Sequence, residues 1–493
     1  MRYRAVTVAI VVVIVAIIIG SVYIFKPAEV TPSPTTTTTS QTTSTASATS
    51  SSTTTTTTTT SATSSSTTPT TTTTTTPIEK TIITVGEGKD YATILEAINH
   101  ASSGCRIEVY SGNYIGNIQV TLSNLTIVAV EGPDVTTIQG VVYLNVGNLT
   151  FENFKVTGEM GINGIEVMPT PWAAEEGIGV SGCVVRNNIV TGYTSGDGIL
   201  LRNASYCTVE NNNSSGNNIG LLIENNSTNN TIEGNTCSNN IWNGVWVRDS
   251  GTGYNTIRNN TMISNGECGI KLSVKTSNNT VESNHIDNSG AGLADKGWAV
   301  FLDGDVFDGC DNNTIIGNVC LNSGDRAIWV RKGSDGNRIE NNTISGAGYS
   351  GIDIETSENN VVTKNDITGV TGPSAGISLG TAHYTTIENN YVHGNTIGVK
   401  ILIEWPMTES NKIGIHVNHN NIEGNTQWGF KNDTNFGENT IVDAENNWWG
   451  DASGPYSGPL NTTPNPTGTG NQVDSQTDFT PWLTARCPDA PPY

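Results

Sequence analysis

Beyond residue 80 the chain repeats one short alternation of apolar and polar positions. Cys207-Thr-Val-Glu-Asn-Asn, Asn230-Thr-Ile-Glu-Gly-Asn, Asn255-Thr-Ile-Arg-Asn-Asn, Asn279-Thr-Val-Glu-Ser-Asn, Asn337-Arg-Ile-Glu-Asn-Asn and Thr385-Thr-Ile-Glu-Asn-Asn are versions of one unit. Its apolar residue recurs as a marker at Ile127, Phe151, Val185, Val209, Ile232, Ile257, Val281, Ile315, Ile339, Val362, Ile387, Val417 and Ile441. The steps are 24, 34, 24, 23, 25, 24, 34, 24, 23, 25, 30 and 24. A second unit follows each marker: Gly198-Ile-Leu-Leu, Gly244-Val-Trp-Val, Gly269-Ile-Lys-Leu, Gly351-Ile-Asp-Ile, Gly376-Ile-Ser-Leu. Short β-branched runs alternate with Asn/Gly turns, and nothing after residue 101 has helical periodicity. The regularly spaced Leu of a leucine-rich solenoid is absent. A period near 24 with two or three short strands is one coil of a parallel β-helix, so the expected fold is an all-β solenoid of about thirteen coils, roughly 60 Å long.

That geometry assigns roles to several residue types. Asn212, Asn235, Asn260, Asn284, Asn318, Asn342, Asn365, Asn390 and Asn420 each fall three places after a marker. Stacked at the ~4.8 Å strand spacing, their amides can bond from coil to coil, so these Asn are structural. Open rod ends need covers. An N-terminal capping helix is expected in Tyr91–His100, with Ile94, Leu95 and Ile98 on one face, and packing roles for Trp448, Trp449 and Trp482 at the other end.

The segments before the repeat point outside the cell. Ala5–Phe25 is an uncharged, almost wholly apolar run of 21 residues preceded by Arg2 and Arg4. That is long enough to span a bilayer with the N-terminus inside, and longer than the apolar region of a cleaved signal. Residues 31–77 hold 39 Ser or Thr among 47 positions, four Pro and no charge, the composition of a disordered, O-glycosylated stalk. The expected organisation is a membrane anchor (1–30), a stalk (31–79), the β-helix (80–446) and a C-terminal cap and tail (447–493). The protein would cross the cell membrane once, with its repeats extracellular. A net charge of −22 with only 14% charged residues leaves no basic footprint for nucleic acid. Asn-x-Ser/Thr sequons such as Asn124, Asn148, Asn259, Asn278 and Asn341 fit a glycoprotein, although the repeat itself forces Asn-Asn-Thr.

Val85-Gly-Glu-Gly-Lys-Asp-Tyr-Ala-Thr-Ile-Leu-Glu-Ala-Ile, followed by Ile107-Glu-Val-Tyr-Ser-Gly-Asn-Tyr, resembles the opening of right-handed parallel β-helix proteins. The Gly-Ile and Asn-Thr-Ile-Glu-Asn-Asn coils are similar to the NosD-like, carbohydrate-binding and sugar-hydrolase (CASH) family. Asn447-Trp-Trp-Gly with Ser453-Gly-Pro resembles the C-terminal end of its exported members. The resemblance covers residues 80–493 and implies a right-handed β-helix. It implies no single activity, because the family includes polysaccharide lyases, hydrolases, epimerases, adhesins and a copper-maturation factor. The Asp-Pro-His-Asp motif of alginate epimerases, the Gly-His-Gly of polygalacturonases and the later motifs of pectin methylesterases are absent. Six scattered His, five Met and no CxxC make a poor copper inventory. Eight Cys form no disulfide framework: Cys183 and Cys207 share a coil position within bonding reach, and Cys237 and Cys320 read as core.

Candidate chemistry lies on the outward positions of the Gly-Ile-x-Val strands. The first column reads Glu166, Leu200, Leu222, Trp246, Lys271, Phe301, Trp329, Asp353, Ser378, Lys400; the second reads Arg202, Glu224, Arg248, Ser273, Asp303, Arg331, Glu355. Alternating sign in the second suits cross-strand ion pairs. Leu222, Trp246, Phe301 and Trp329 in neighbouring coils read as an exposed aromatic floor. Insertions at Met168–Ile178, Ala291–Gly297, Asp303–Asp311 and Ile403–Asn411 would wall it into a groove. Pyranose rings stack on such floors, and Arg248, Lys271 and Arg331 suit uronate or sulfate. The expected site is therefore Trp246, Arg248, Lys271, Phe301, Asp303, Trp329, Arg331 and Asp353, with polysaccharide as partner. Asp303, Asp305, Asp308 and Asp311 form an all-oxygen set for calcium without EF-hand spacing. Three functions stay open: a surface glycan-binding protein, a lyase, epimerase or hydrolase of acidic glycans, and a passive envelope element or adhesin.

Overall fold

The computed structural model describes residues 81–158, 161–287, 289, 296–304, 308–402, 414–433, 442–461 and 463–491. The expected anchor at Ala5–Phe25 and stalk at 31–77 lie outside them. So do Asp305, Ile403–Asn411 and most of Ala291–Gly297.

Each coil contributes three strands to three faces, and successive coils pair in parallel. Sheet 1 carries the markers in sixteen strands, from Ile82–Val85 to Thr477–Asp478. At about 4.8 Å per step it runs roughly 70 Å. Its register joins Ile127, Phe151, Val185, Val209 and Ile232 as direct neighbours, and continues through Ile257 to Val417. Sheet 2 is made of short strands such as Thr261–Ile263. Sheet 3 has fifteen strands built on the Gly-Ile units. In Thr256-Ile-Arg the middle residue points into the core and its neighbours point out, as strand alternation requires. The glycine opening most sheet 3 strands answers to coil contact: a Cβ on Gly244 would sit 2.7 Å from the Gly269 carbonyl oxygen, and Ala replaces it in the coils of Ala299 and Ala327. Both long sheets continue past residue 446, through Pro455–Ser457, Gly470–Val473 and Thr477–Asp478.

The paired Asn of the repeat divide the labour of the turn between sheets 1 and 2. The first takes the left-handed conformation, with φ of 55° at Asn211, Asn259 and Asn341, which Asn tolerates better than most residues. The second points inward and joins a ladder. Asn260 Nδ2 donates to Asn284 Oδ1 at 3.0 Å and to the Ile232 carbonyl at 2.9 Å, while its Oδ1 accepts from Asn235 at 3.0 Å. The ladder runs unbroken from Asn188 to Asn447. It therefore enters the expected C-terminal cap, where Asp443 pairs with His416 and Ala444, rather than the expected Ile441, takes the marker place. A second ladder links Asn230, Asn255, Asn279, Asn313 and Asn337 two places before the markers.

Helix α1 (Ile94–His100) starts with a capping box between Thr93 and Glu96. It buries Ile94, Ala97 and Ile98; Leu95, expected on that face, is exposed, because the inward stripe falls at spacings of three and four. The first insertion carries a short helix, α2 (Pro171–Glu175). Trp449 is fully buried, as its packing role requires. All eight Cys are buried, and Cys183 and Cys207 form no disulfide.

The outer face of sheet 3 differs most from expectation. Phe301 is 1% exposed, Leu222 2% and Trp329 6%, so the aromatic floor is a second apolar layer. The rings cover one another. Phe301 stacks on Trp329 at 4.7 Å, and Trp298, three residues before Phe301 on the same strand, lies 4.6 Å and 5.3 Å from them. The guanidiniums of Arg331 and Arg326 sit 4.1 Å and 4.2 Å from the Trp329 ring. Asp353, expected at a binding face, is fully buried beneath Arg326, which also holds Asp325 and Glu355. Burial, then the Glu355 charge, pushes the Asp353 carboxyl up to about 7 despite Arg326.

Three outcomes follow. Asn342→Ala orphans buried groups on both neighbouring coils and should cost about 1–3 kcal/mol in chemical denaturation, whereas Asn341→Gly keeps the left-handed turn and should stay within about 0.5 kcal/mol. Trp329→Ala should cost about 3–5 kcal/mol, the loss for a buried Trp; an unchanged melting temperature would contradict the buried layer. The raised Asp353 carboxyl disfavours the folded state once the unfolded chain ionises. Its contribution to stability is intact below the ordinary carboxylate range and is lost as pH rises towards about 7. Asp353→Asn should remove that slope from a pH series of melts.

Candidate functional site

Strand register places Trp246, Lys271, Phe301, Trp329 and Asp353 side by side in consecutive coils, and likewise Ser273, Asp303, Arg331 and Glu355. Register therefore holds for both columns, but accessibility divides them. Phe301, Trp329 and Asp353 belong to the covered layer. Arg248 is tied to Glu224, with 2.6 Å from Nε to the carboxylate, and its guanidinium lies 4.8 Å from the Trp246 ring. Glu224 also holds Arg202, so the alternating charges of the second column are cross-strand ion pairs.

What stays open is a furrow where sheet 3 strands end. One cleft of about 240 Å³ is lined by Trp246, Lys271, Ser273, Val274, Asp303, Gly304 and Lys332. Trp246 is half-buried, and its indole N–H donates to Ser273 Oγ at 2.8 Å, which fixes the ring against the wall. Asp303 accepts from Arg331 Nε at 2.9 Å and lies 3.6 Å from Lys271 Nζ and 3.5 Å from Lys332 Nζ. The cleft lining thus carries two ammonium groups against one carboxylate, and Arg331 adds a third cation behind it. Such a lining suits an anionic or hydroxyl-rich ligand.

The same turns, a few residues further on, line a second cleft of about 460 Å³ with Lys275, Ser277, Asp308, Gly309, Asp311, Gly333 and Asp335. Asp308 pairs with Lys275 at 2.7 Å, and Asp311 accepts the Asp335 backbone N–H at 2.9 Å. Burial, with the charges of Asp311 and Glu358, raises the Asp335 carboxyl above its ordinary range. Among the described residues no group of three His, Cys, Asp or Glu converges as a metal site. Of the calcium set, Asp303 and Asp308 are bound to cations and Asp311 to a backbone amide, so the described members do not fit a calcium ion; Asp305 lies outside the described residues. Lys275, Lys332 and Asp335 were missed in the sequence because they sit in turns whose proximity only coil stacking creates; Ser273, read there only as a member of the second column, lines the first cleft from the end of its strand.

The overall structure is similar to the A-module of the mannuronan C-5 epimerase AlgE6 from Azotobacter vinelandii, with a TM-score of 0.50 at 16% identity over 72% of this chain and 92% of that one. It is also similar to the catalytic unit of a GH87 alpha-1,3-glucanase from Streptomyces thermodiastaticus, with a TM-score of 0.50 at 15% identity over 65% of this chain and 64% of that one. At such identities the likeness is one of fold. No curated protein matches the sequence significantly. The family described as "Right handed beta helix region" matches residues 107–286 and 300–447. With parallel coils, continuous Asn ladders and a match over most of its length, the chain belongs to the right-handed β-helix family.

Proposed function

We propose that this is an exported protein of the NosD-like kind, anchored by Ala5–Phe25 and carried from the membrane by its stalk. Its β-helix, closed at one end by α1, binds polysaccharide in the furrow beside Trp246. The observation that carries the reading is the pairing of a half-exposed indole, held by Ser273, with Lys271 and Lys332 in one open cleft. A pyranose presents an apolar face to a ring and hydroxyl or carboxylate edges to such cations. The fold likeness to proteins named as a mannuronan epimerase and an alpha-1,3-glucanase supports a glycan rather than another ligand class. Binding is favoured over catalysis because the carboxylate of the cleft, Asp303, is held by three cations.

The full chain, solubilised in mild detergent, should retain an acidic polysaccharide such as polyuronate on an affinity gel. Trp246→Ala should weaken retention roughly tenfold, the value of about 1.5 kcal/mol for a stacked ring, with little change in melting temperature. Failure of the wild-type chain to retain any acidic or neutral polysaccharide would remove this function. Appearance of unsaturated sugar ends in the same incubation would replace it with a lyase.

A further inference from the structure

The edge bordering the furrow, three places before each marker, carries a second pattern. From Asn148 to Gly414 every coil takes the left-handed conformation there, with φ between 48° and 74°. The reason is a coil-to-coil hydrogen bond. The backbone N–H donates to a carbonyl of the next coil, at 3.1 Å from Tyr206 to Thr228, 3.3 Å from Tyr254 to Ser277 and 2.9 Å from Asn312 to Asp335. Asn or Gly fills this position in all of these coils except three, which hold Tyr206, Tyr254 and Tyr384, with φ of 55°, 57° and 48°.

A bulky residue in that conformation is strained, and strain persists at positions kept for another purpose. Packing does not account for these rings, because Tyr206 is 69% exposed, Tyr254 62% and Tyr384 52%. Tyr384 lies over the next coil: a Cβ built on Gly414 would meet its ring at 2.6 Å, so one ring face rests on the rod. Asn229, Asn278 and Asn312 stand on the same edge between Tyr206 and Tyr384. Tyr206 precedes the furrow, Tyr254 lies in the coil of Trp246 at its first end, and Tyr384 follows the second cleft, which includes Ser277 and Asp311. Seven coil steps separate the outer tyrosines, on the order of 34 Å at ~4.8 Å per step.

Resting on the glycan-binding reading above, we infer that the ligand is a long, linear polysaccharide lying parallel to the rod axis. It stacks on Tyr206 and Tyr254 at one end of the furrow and on Tyr384 at the other, with side-chain amides of the intervening Asn facing its hydroxyls. A short oligosaccharide spans the clefts alone, whereas a chain long enough to reach both tyrosine positions gains contacts by linkage and binds more tightly.

The test uses the full chain in detergent, size-fractionated oligouronates with a neutral β-glucan series beside them, and a triple variant Tyr206→Asn, Tyr254→Asn, Tyr384→Asn. Asn is the resident residue of this position elsewhere, so the variant should melt at or above the wild-type temperature. Wild-type affinity should rise with chain length. The triple variant should lose that rise, ending roughly tenfold weaker on the longest chains, and Tyr384→Asn alone should lose part of it. If the variant melts lower, the tyrosines are packing groups and the inference fails. If Trp246→Ala weakens binding while the tyrosine variants keep the full length dependence, the inference fails and the furrow reading stands. If the wild type binds none of the series, both fall.

Discussion

Everything in this rod depends on the edge of a coil being unsatisfied until another coil covers it. A parallel strand three to six residues long has few contacts of its own, and its N–H and C=O groups face along the axis. Stacking meets that need and simultaneously aligns Asn260 with Asn235 and Asn284, so each buried amide finds both donor and acceptor partners. A buried amide left unpaired costs more than a formed bond contributes. The ladders therefore specify register as much as they stabilise it: a slip of one residue would turn every ladder Asn outward and every marker with it.

The same stacking decides what the outward columns can do. Residues spaced one coil apart stand about 4.8 Å from one another, close enough for large rings to cover each other fully. Phe301, Trp329 and Trp298 do so, and Arg326 and Arg331 complete the cover. A column of aromatics on a solenoid face is consequently self-burying unless its neighbours are small or charged. Trp246 escapes because Lys271 follows it in register. The open site is thereby confined to the ends of the strands and the turns that follow them, where Trp246, Lys271 and Asp303 meet Lys332.

These turns combine two demands. They must return the backbone to the next coil, which requires left-handed residues, and they carry the side chains that border the furrow. Asn meets the first demand at low strain and presents an amide for the second. Tyr meets only the second, which makes Tyr206, Tyr254 and Tyr384 informative where the Asn of the same position are not.

Fold was legible in the sequence because the repeat is strict. Ile257, Val281 and their equivalents, with Asn three places on, determine strand, turn, inward face and ladder by local alternation alone, and the pairing register follows from the period. Columns such as Trp246–Lys271–Phe301–Trp329 were legible for the same reason. Accessibility was not. Whether Trp329 meets solvent depends on Trp298 at the start of the neighbouring strand and on the long side chains of Arg326 and Arg331. Whether Lys271, Asp303 and Lys332 share a cleft depends on how three turns of unequal length lie together. Alternation along one chain sets which way a side chain points; only the neighbouring coils, brought within van der Waals reach by folding, set what it meets there.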